Sequence, residues 1–306
     1  MLNASKTKRR LAGLAAVLSS TALAVTLAGV PVADAAKPAK AAKPGTSLRV
    51  DTWASAATAS ITPGVQTNTA GSGQCTANFV FTDRAGHVYL GQSAHCASTG
   101  AATDTDGCQA ESLPLGTRVR FNRGGSLLSA GRQVGAGTLV YSSWVTMQRR
   151  QESRANACAF NDFALVKVRA SDVRKVNPSI PFWGGPTGVN RAGTAVGHRV
   201  YSFGNSGIRL GVEQLSPKTG FSLGTDGAGW NHPVYTLSPG VPGDSGSAFL
   251  DGRGRAMGTL STLALAPLPA SNGVGDLSRE LSYAQRFSGI AGLRLAQGTE
   301  PFAPIP

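Results

Sequence analysis

Short apolar runs separated by polar turns dominate the chain from about residue 50 onward. The runs are rich in β-branched and aromatic residues and include FVFT, VYLG, TLVYSSWV, FALVKV, RVYSFG and AMGTLSTL. They are too short for typical helices, and turns rich in Gly, Pro, Asn and Asp divide them, a pattern that favours antiparallel strands. The pattern predicts an all-β fold, but periodicity does not choose between one sandwich, one large barrel and two small barrels.

One helix is predicted, close to the C-terminus. Leu277, Leu281, Ala284 and Phe287 recur at steps of three and four residues, which places them on one face of a helix. Asp276 precedes this segment and is predicted to be a turn residue or helix N-cap rather than a site residue. We expect the helix to cover the β-core.

The N-terminus has the pattern of an export signal. Residues 1–10 carry four cations, residues 11–30 carry no charge, and Ala33 and Ala35 give the small-residue spacing of a cleavage site. We predict a signal peptide over residues 1–35, cleaved near Ala35, and a secreted, extracellular protein; an uncleaved anchor is the alternative. Residues 36–60 begin with AKPAKAAKPGTS and are predicted to be a linker or short pro-segment before a single domain over residues 61–306.

Charge adds little about partners. The formal net charge is +13, but the basic clusters are not interleaved with aromatic residues, so nucleic-acid binding is not expected. After residue 30 no run of eighteen apolar residues occurs, so no membrane association is expected once the signal is removed. A basic surface of this kind is attracted to anionic wall polymers or acidic substrates.

Four cysteines are predicted to form two disulfides, because an exported chain meets an oxidising environment. They are Cys75, Cys96, Cys108 and Cys158. Four cysteines allow three pairings, and the absence of a C-x-x-C pair argues against a zinc site. No metal and no cofactor are expected; the segment TDTDG, 103–107, would make only a weak calcium site.

Three residues are candidates for nucleophilic catalysis. Ser245 lies in the glycine-rich turn of GVPGDSGSAFL, and a serine hydroxyl needs a base within hydrogen-bond reach. His95 follows an apolar strand and precedes Cys96, whose disulfide would fix its backbone. Asp162 opens the run FALVKV, so core residues surround it, and a buried carboxylate needs a polar partner. The other three histidines are predicted to be surface or packing residues.

The segments SAHC, NDFALVKV and GDSGS resemble, in the same chain order, the three motif blocks of the chymotrypsin superfamily, most closely its secreted, streptogrisin-related actinobacterial branch. The resemblance implies two packed antiparallel six-stranded β-barrels with a C-terminal helix and a catalytic cleft between the barrels. It also implies a triad of His95, Asp162 and Ser245, with an oxyanion hole formed by the N–H groups of Gly243 and Ser245. Cys75 would pair with Cys96, which leaves Cys108 with Cys158.

The resemblance implies a serine endopeptidase acting on protein or peptide substrates as a monomer. Relatives that prefer Lys or Arg carry an acid six residues before the nucleophile, where this chain has Pro239, so specificity for Lys or Arg is not expected. We expect a small or medium apolar P1 residue in a pocket formed by Pro239, Gly240, Val241, Ser261 and Thr262. A new N-terminus at Ile61, pairing with Asp244, is a further hypothesis for activation.

Two other functions fit parts of the pattern. A catalytically silent, protease-like module could bind wall polymers or protein partners through its basic surface, although the intact triad argues against it. An esterase would use the same nucleophile, but its usual fold alternates helices and strands, which this sequence lacks.

Overall fold

The computed structural model describes residues 53–101, 105–264 and 268–304. The predicted signal peptide and most of the predicted linker therefore lie outside the described residues, as does part of the TDTDG segment. All of the described residues belong to one compact unit. None of the described helices is both long and apolar enough to cross a membrane.

The N-terminal part forms an antiparallel sheet of eight strands. Its order is β14-β3-β4-β7-β6-β5-β1-β2. The strands are β1 (Gln66–Thr69), β2 (Gln74–Thr76), β3 (Val80–Thr82), β4 (Val88–Gln92), β5 (Arg118–Arg123), β6 (Arg132–Ser142), β7 (Ala164–Val168) and β14 (Arg294–Leu295). Leu90, Val119, Phe121 and Val166 are among the residues that bury one face in the core.

The C-terminal part forms a closed antiparallel barrel of six strands in the order β10-β13-β12-β11-β8-β9. The strands are β8 (Arg199–Phe203), β9 (Pro217–Ser222), β10 (Asn231–Thr236), β11 (Ala248–Asp251), β12 (Ala256–Ala264) and β13 (Ser271–Asp276). Val200, Val234, Phe249 and Met257 pack inside it. Closure leaves no free strand edge in the barrel.

The predicted fold class is confirmed in its main features: the structure is mostly β, with a closed six-stranded barrel, a second sheet and a C-terminal helix. The second sheet has eight strands rather than six. The short strands β2 and β14 lie at its two edges, and β14 comes from the far C-terminal end of the chain. Sequence periodicity cannot detect strands of two or three residues.

Three α-helices are present in the described part of the chain. They are α1 (Ser143–Arg149), α2 (Ala155–Phe160) and α3 (Leu277–Phe287). Helix α3 is the predicted one, and Asp276 caps it by accepting a hydrogen bond from the N–H of Arg279. The run TLVYSSWV was wrongly interpreted as a single strand, because β6 ends at Ser142, whose side chain caps α1.

Both disulfides expected from the resemblance are present. Cys75–Cys96 connects β2 to the turn that carries His95, and Cys108–Cys158 connects a loop after that turn to α2. The pairs are 21 and 50 residues apart in sequence. Each cross-link restricts the unfolded chain, and the first also fixes one side of the candidate site.

Candidate active site

His95 and Asp162 form a direct hydrogen-bonded pair. The Nδ1 atom of His95 lies 2.6 Å from Oδ2 of Asp162, and the backbone N–H of His95 donates to Oδ1 at 2.9 Å. Asp162 is almost fully buried, whereas 27% of the His95 side chain is exposed. One imidazole edge is therefore held by the carboxylate while the ring remains accessible from the cleft.

Sheet register explains why these two residues meet. Strands β4 and β7 are neighbours, with Gln92 opposite Ala164. His95 lies in a 3-10 turn just after β4, and Asp162 lies just before β7. The end of one antiparallel strand is adjacent to the start of its partner, so the pairing brings together two residues that are 67 positions apart.

Burial and charge act in opposite directions on this pair. Burial favours the uncharged form of each group, but attraction and hydrogen bonding between the partners outweigh it. The pKa of His95 is therefore raised and the pKa of Asp162 is lowered. Ser261 contributes by donating a hydrogen bond from Oγ to Oδ2 of Asp162 at 2.6 Å. The carboxylate thus stays ionised and oriented.

Ser245 lies in a tight turn just before β11. Its carbonyl oxygen accepts the N–H of Thr76 at 2.8 Å, and Thr76 follows the disulfide-bonded Cys75 in β2. Gly246 has a φ of +88°, and a side chain there would collide with the carbonyl oxygen of Thr76. Strand β2 thus connects the Ser245 turn to the His95 turn.

Two peptide groups in the Ser245 turn are oriented by hydroxyl groups. Ser206 Oγ donates to the carbonyl of Pro242 at 2.5 Å, and Ser247 Oγ donates to the carbonyl of Asp244 at 2.5 Å. In a trans peptide the N–H points opposite to the C=O, so the N–H groups of Gly243 and Ser245 point away from these serines. Within the described part of the chain, neither N–H donates a hydrogen bond. The pair is therefore available to an incoming oxygen.

Asp244 pairs with two cations of the chain itself. Its Oδ2 lies 2.5 Å from Nζ of Lys218 and 2.7 Å from a guanidinium nitrogen of Arg209. Burial lowers the pKa of Lys218, although the charge of Asp244 opposes this. Ile61 lies elsewhere, with its N–H donating to the carbonyl of Lys175. In the unprocessed chain, internal cations therefore pair with the Asp244 carboxylate, and activation through a new N-terminus at Ile61 stays a prediction.

A cleft of about 740 Å³ contains the three candidate residues. His95, Asp162 and Ser245 all line it, as do four residues of the predicted substrate pocket, namely Gly240, Val241, Ser261 and Thr262. Pro239 does not line it; its carbonyl oxygen instead accepts a hydrogen bond from Lys218 Nζ at 3.1 Å. Gly243 lines the cleft as well.

Several residues of the site were missed by sequence reasoning. Trp144 of α1 packs beside His95 with ring centroids 6.4 Å apart, Asn272 lines the cleft, and Glu280 of α3 contacts Asp162. Ser261 was assigned to the pocket wall, but its hydroxyl binds Asp162. The sequence offered no signal for that role beyond a polar residue between Leu260 and Thr262.

Two groups of close His, Cys and Asp side chains occur among the described residues. One contains Cys75, Cys96 and His95, and the other contains Cys108, Cys158 and Asp106. The four cysteines are disulfide-bonded. Each group therefore offers only one free metal ligand.

Glu280 places a second buried carboxyl group behind Asp162. It is fully buried, and its Oε1 accepts the N–H of Asp162 at 3.2 Å. Burial, together with the negative charge of Asp162, raises the pKa of Glu280 well above its ordinary value. The group is therefore neutral in the folded protein at pH values where it is ionised in the unfolded chain.

We expect Glu280→Gln to stabilise the protein at neutral pH. At pH values between the pKa of Glu280 in the unfolded chain and its raised pKa in the folded protein, only the folded state keeps the proton. The contribution of this group to the free energy of unfolding therefore falls by about 1.4 kcal/mol for each unit by which the pH rises. Glutamine removes that dependence. Thermal unfolding at pH 4 and pH 7 checks this, with exposed Glu300→Gln as the control; a Glu280→Gln variant no more stable than wild type at pH 7 would contradict it.

Comparison with known proteins gives matches to solved structures only. No family model and no curated protein matches the chain. It is similar to the crystal structure of Thermobifida fusca protease A, with 18% identity, 78% of this chain and 99% of that chain covered, and a TM-score of 0.46. For Nocardiopsis protease the identity is 17%, the match covers 77% of this chain and 98% of that chain, and the TM-score is 0.43. For a Glu endopeptidase the identity is 16%, the match covers 77% of this chain and 96% of that chain, and the TM-score is 0.48. Values this low leave the chemistry to be argued from the residues of this chain.

Proposed function

We propose that the protein is a secreted serine endopeptidase that hydrolyses peptide bonds through an acyl-enzyme, with His95, Asp162 and Ser245 as its triad. The observation that carries the proposal is the His95–Asp162 pair in the same cleft as Ser245. The two unengaged N–H groups of Gly243 and Ser245 add to it. The two disulfides support an oxidising, extracellular location.

The proposed mechanism assigns one role to each group. Ser245 Oγ attacks the substrate carbonyl while Nε2 of His95 accepts its proton, and the resulting imidazolium then gives that proton to the leaving amine. Asp162 holds the proton on Nδ1 and stabilises the imidazolium. The N–H groups of Gly243 and Ser245 stabilise the oxyanion, for which one donor is typically worth about 10²–10³ in kcat. Water then attacks the acyl-enzyme while Nε2 of His95 accepts its proton, and the imidazolium returns that proton to Ser245 Oγ as the bond to the acyl group breaks.

Labelling with a fluorophosphonate probe tests this proposal. Purified protein is expected to label at one serine, and both Ser245→Ala and His95→Ala should abolish labelling while keeping the wild-type circular dichroism spectrum. Thr76→Ser, which keeps the backbone bond to the Ser245 turn, serves as a control that still labels. A folded wild-type protein that neither labels nor cleaves peptides would overturn the proposal.

The pH dependence of kcat/KM gives a second expectation. Only neutral His95 can accept the proton of Ser245, and its pKa is raised above 6.5. Activity is therefore expected to fall as the pH is lowered through a value above 6.5. A pH–rate profile checks this, with His87→Ala as a control that should leave the profile unchanged. An acid limb centred below pH 6.5 would contradict the assignment.

A further inference from the structure

Asn272 in β13 lines the cleft and has an amide NH₂ group without a hydrogen-bond partner among the described residues. The residue is 1% exposed, and its Oδ1 accepts the backbone N–H of Gly240 at 3.2 Å. Its Nδ2 has no acceptor among the described residues. A buried amide N–H without a partner is uncommon in folded proteins, and at the wall of a cleft a substrate oxygen would supply the acceptor.

The orientation of this amide is fixed. A backbone N–H can only donate, so the amide atom that faces the Gly240 N–H must be the oxygen. The nitrogen Nδ2 is then the amide atom that does not face this N–H. Glycine at position 240 keeps the adjacent space open, because a Cβ there would lie 2.8 Å from Nδ2. Gly240 and Asn272 both line the cleft that contains Ser245.

Charges in the cleft narrow the class of side chain that would fit. Among the described residues that line the cleft, the only carboxylate is Asp162, which is engaged by His95 and Ser261. Asp244 lies outside the lining and is paired with Lys218 and Arg209. A Lys or Arg side chain would therefore find no free anion, whereas an oxygen acceptor would find the free N–H of Asn272.

We propose that Asn272 is a specificity-determining residue that selects a P1 side chain ending in an oxygen acceptor, a carboxamide or a carboxylate. The inference rests on the proposed peptidase function and names its substrate class. It replaces the sequence-based expectation of an apolar P1 residue, because an apolar side chain would leave Nδ2 buried without a partner. Sites built to hydrogen-bond a substrate group discriminate strongly against analogues that lack it.

Cleavage of a matched peptide series tests the selection. Peptides that differ only at P1 carry Gln, Glu, Asn, Asp, Met, Leu or Lys, and Met is nearly isosteric with Gln but lacks the acceptor. We expect kcat/KM for the best acceptor-bearing residue to exceed that for Met by roughly 10²-fold or more. The relative rates of Gln and Glu, and of Asn and Asp, then distinguish a carboxamide from a carboxylate.

Asn272→Asp is the informative variant. It keeps an oxygen for the Gly240 N–H but replaces the free donor with a second oxygen. It is expected to reduce the advantage of acceptor-bearing residues over Met at least about tenfold. Asn68→Asp introduces the same charge change at a residue outside the cleft and should leave the ratio unchanged. Equal cleavage of Met and acceptor-bearing peptides, or a ratio unaffected by Asn272→Asp, would overturn the proposal.

A binding measurement separates this inference from the proposed function. Ser245→Ala protein is titrated calorimetrically with peptides ending at P1 in Gln, Glu, Asn, Asp or Met, and the titration is repeated with Asn272→Asp added. Tighter binding of an acceptor-bearing peptide that Asn272→Asp abolishes supports the pocket even if wild-type protein never labels. Binding that does not distinguish Met from the acceptor-bearing residues, or no binding at all, overturns it.

Discussion

Replacing Asp162 with Asn is expected to lower kcat by about 10⁴-fold while the protein stays folded. Asp162 accepts three hydrogen bonds, from the backbone N–H and Nδ1 of His95 and from Ser261 Oγ. An asparagine offers only one oxygen, and its NH₂ group would favour the tautomer of His95 in which Nδ1 carries no proton. Nε2 would then hold the proton and could not act as the base for Ser245.

Asp83→Asn is a matched control for this experiment. Asp83 accepts the backbone N–H of His87 at 2.9 Å and lies 2.8 Å from its Nδ1, so the pair repeats the local geometry of Asp162 and His95 outside the cleft. Steady-state kinetics with both variants, checked by circular dichroism, should show a loss for Asp162→Asn alone. Similar kcat values for the two variants would remove Asp162 from the proposed mechanism.

Replacing Asp244 with Asn is expected to lower the free energy of unfolding by about 3–5 kcal/mol. The side chains of Lys218 and Arg209 are 1% and 11% exposed, and the substitution leaves both cations without their carboxylate. Asp244 also accepts the N–H groups of Ser206 and Val241, so its loss should loosen the turn that carries Gly243. Urea unfolding measures the first effect, and kcat measures the second.

Two further variants show whether burial is the cause. Glu213→Gln breaks the more exposed pair with Arg123 and should cost less than about 1 kcal/mol, because solvent screens exposed charges. Adding Lys218→Met to Asp244→Asn removes one unpaired cation and should recover part of the lost stability. A double variant no more stable than Asp244→Asn alone would argue against an uncompensated charge on Lys218.

Local patterns in the sequence were sufficient for several of the strands and for α3. Runs such as FALVKV carry their own evidence, because β-branched residues and bounding turns lie within a few positions of each other. The start of α1 was missed because the run TLVYSSWV has the composition of a strand along its whole length. Its strand nevertheless ends at Ser142, whose side chain caps α1. Local patterns cannot show where a strand ends when pairing with the adjacent strand determines that end.

The candidate site was only partly accessible from the sequence. Ser245, His95 and Asp162 were selected from motif resemblance and local setting, and the β4–β7 register accounts for the His–Asp pair. Glu280 lies 118 positions from Asp162, and the burial of Lys218 depends on the pairing of β9 with β8, which no local pattern shows. Asn272 gave no signal in the sequence. Its proposed role depends on the lack of a hydrogen-bond acceptor for its Nδ2 among the described residues, and only the three-dimensional structure shows this.

The position of the last elements in the chain sets the order in which the site can be completed during biosynthesis. Strand β14 pairs with β3 across more than two hundred intervening residues, and Glu280 of α3 supports the backbone of Asp162. A nascent chain that has not yet extended beyond α3 lacks both contacts. The site therefore gains these two contacts only after synthesis has passed α3 and β14.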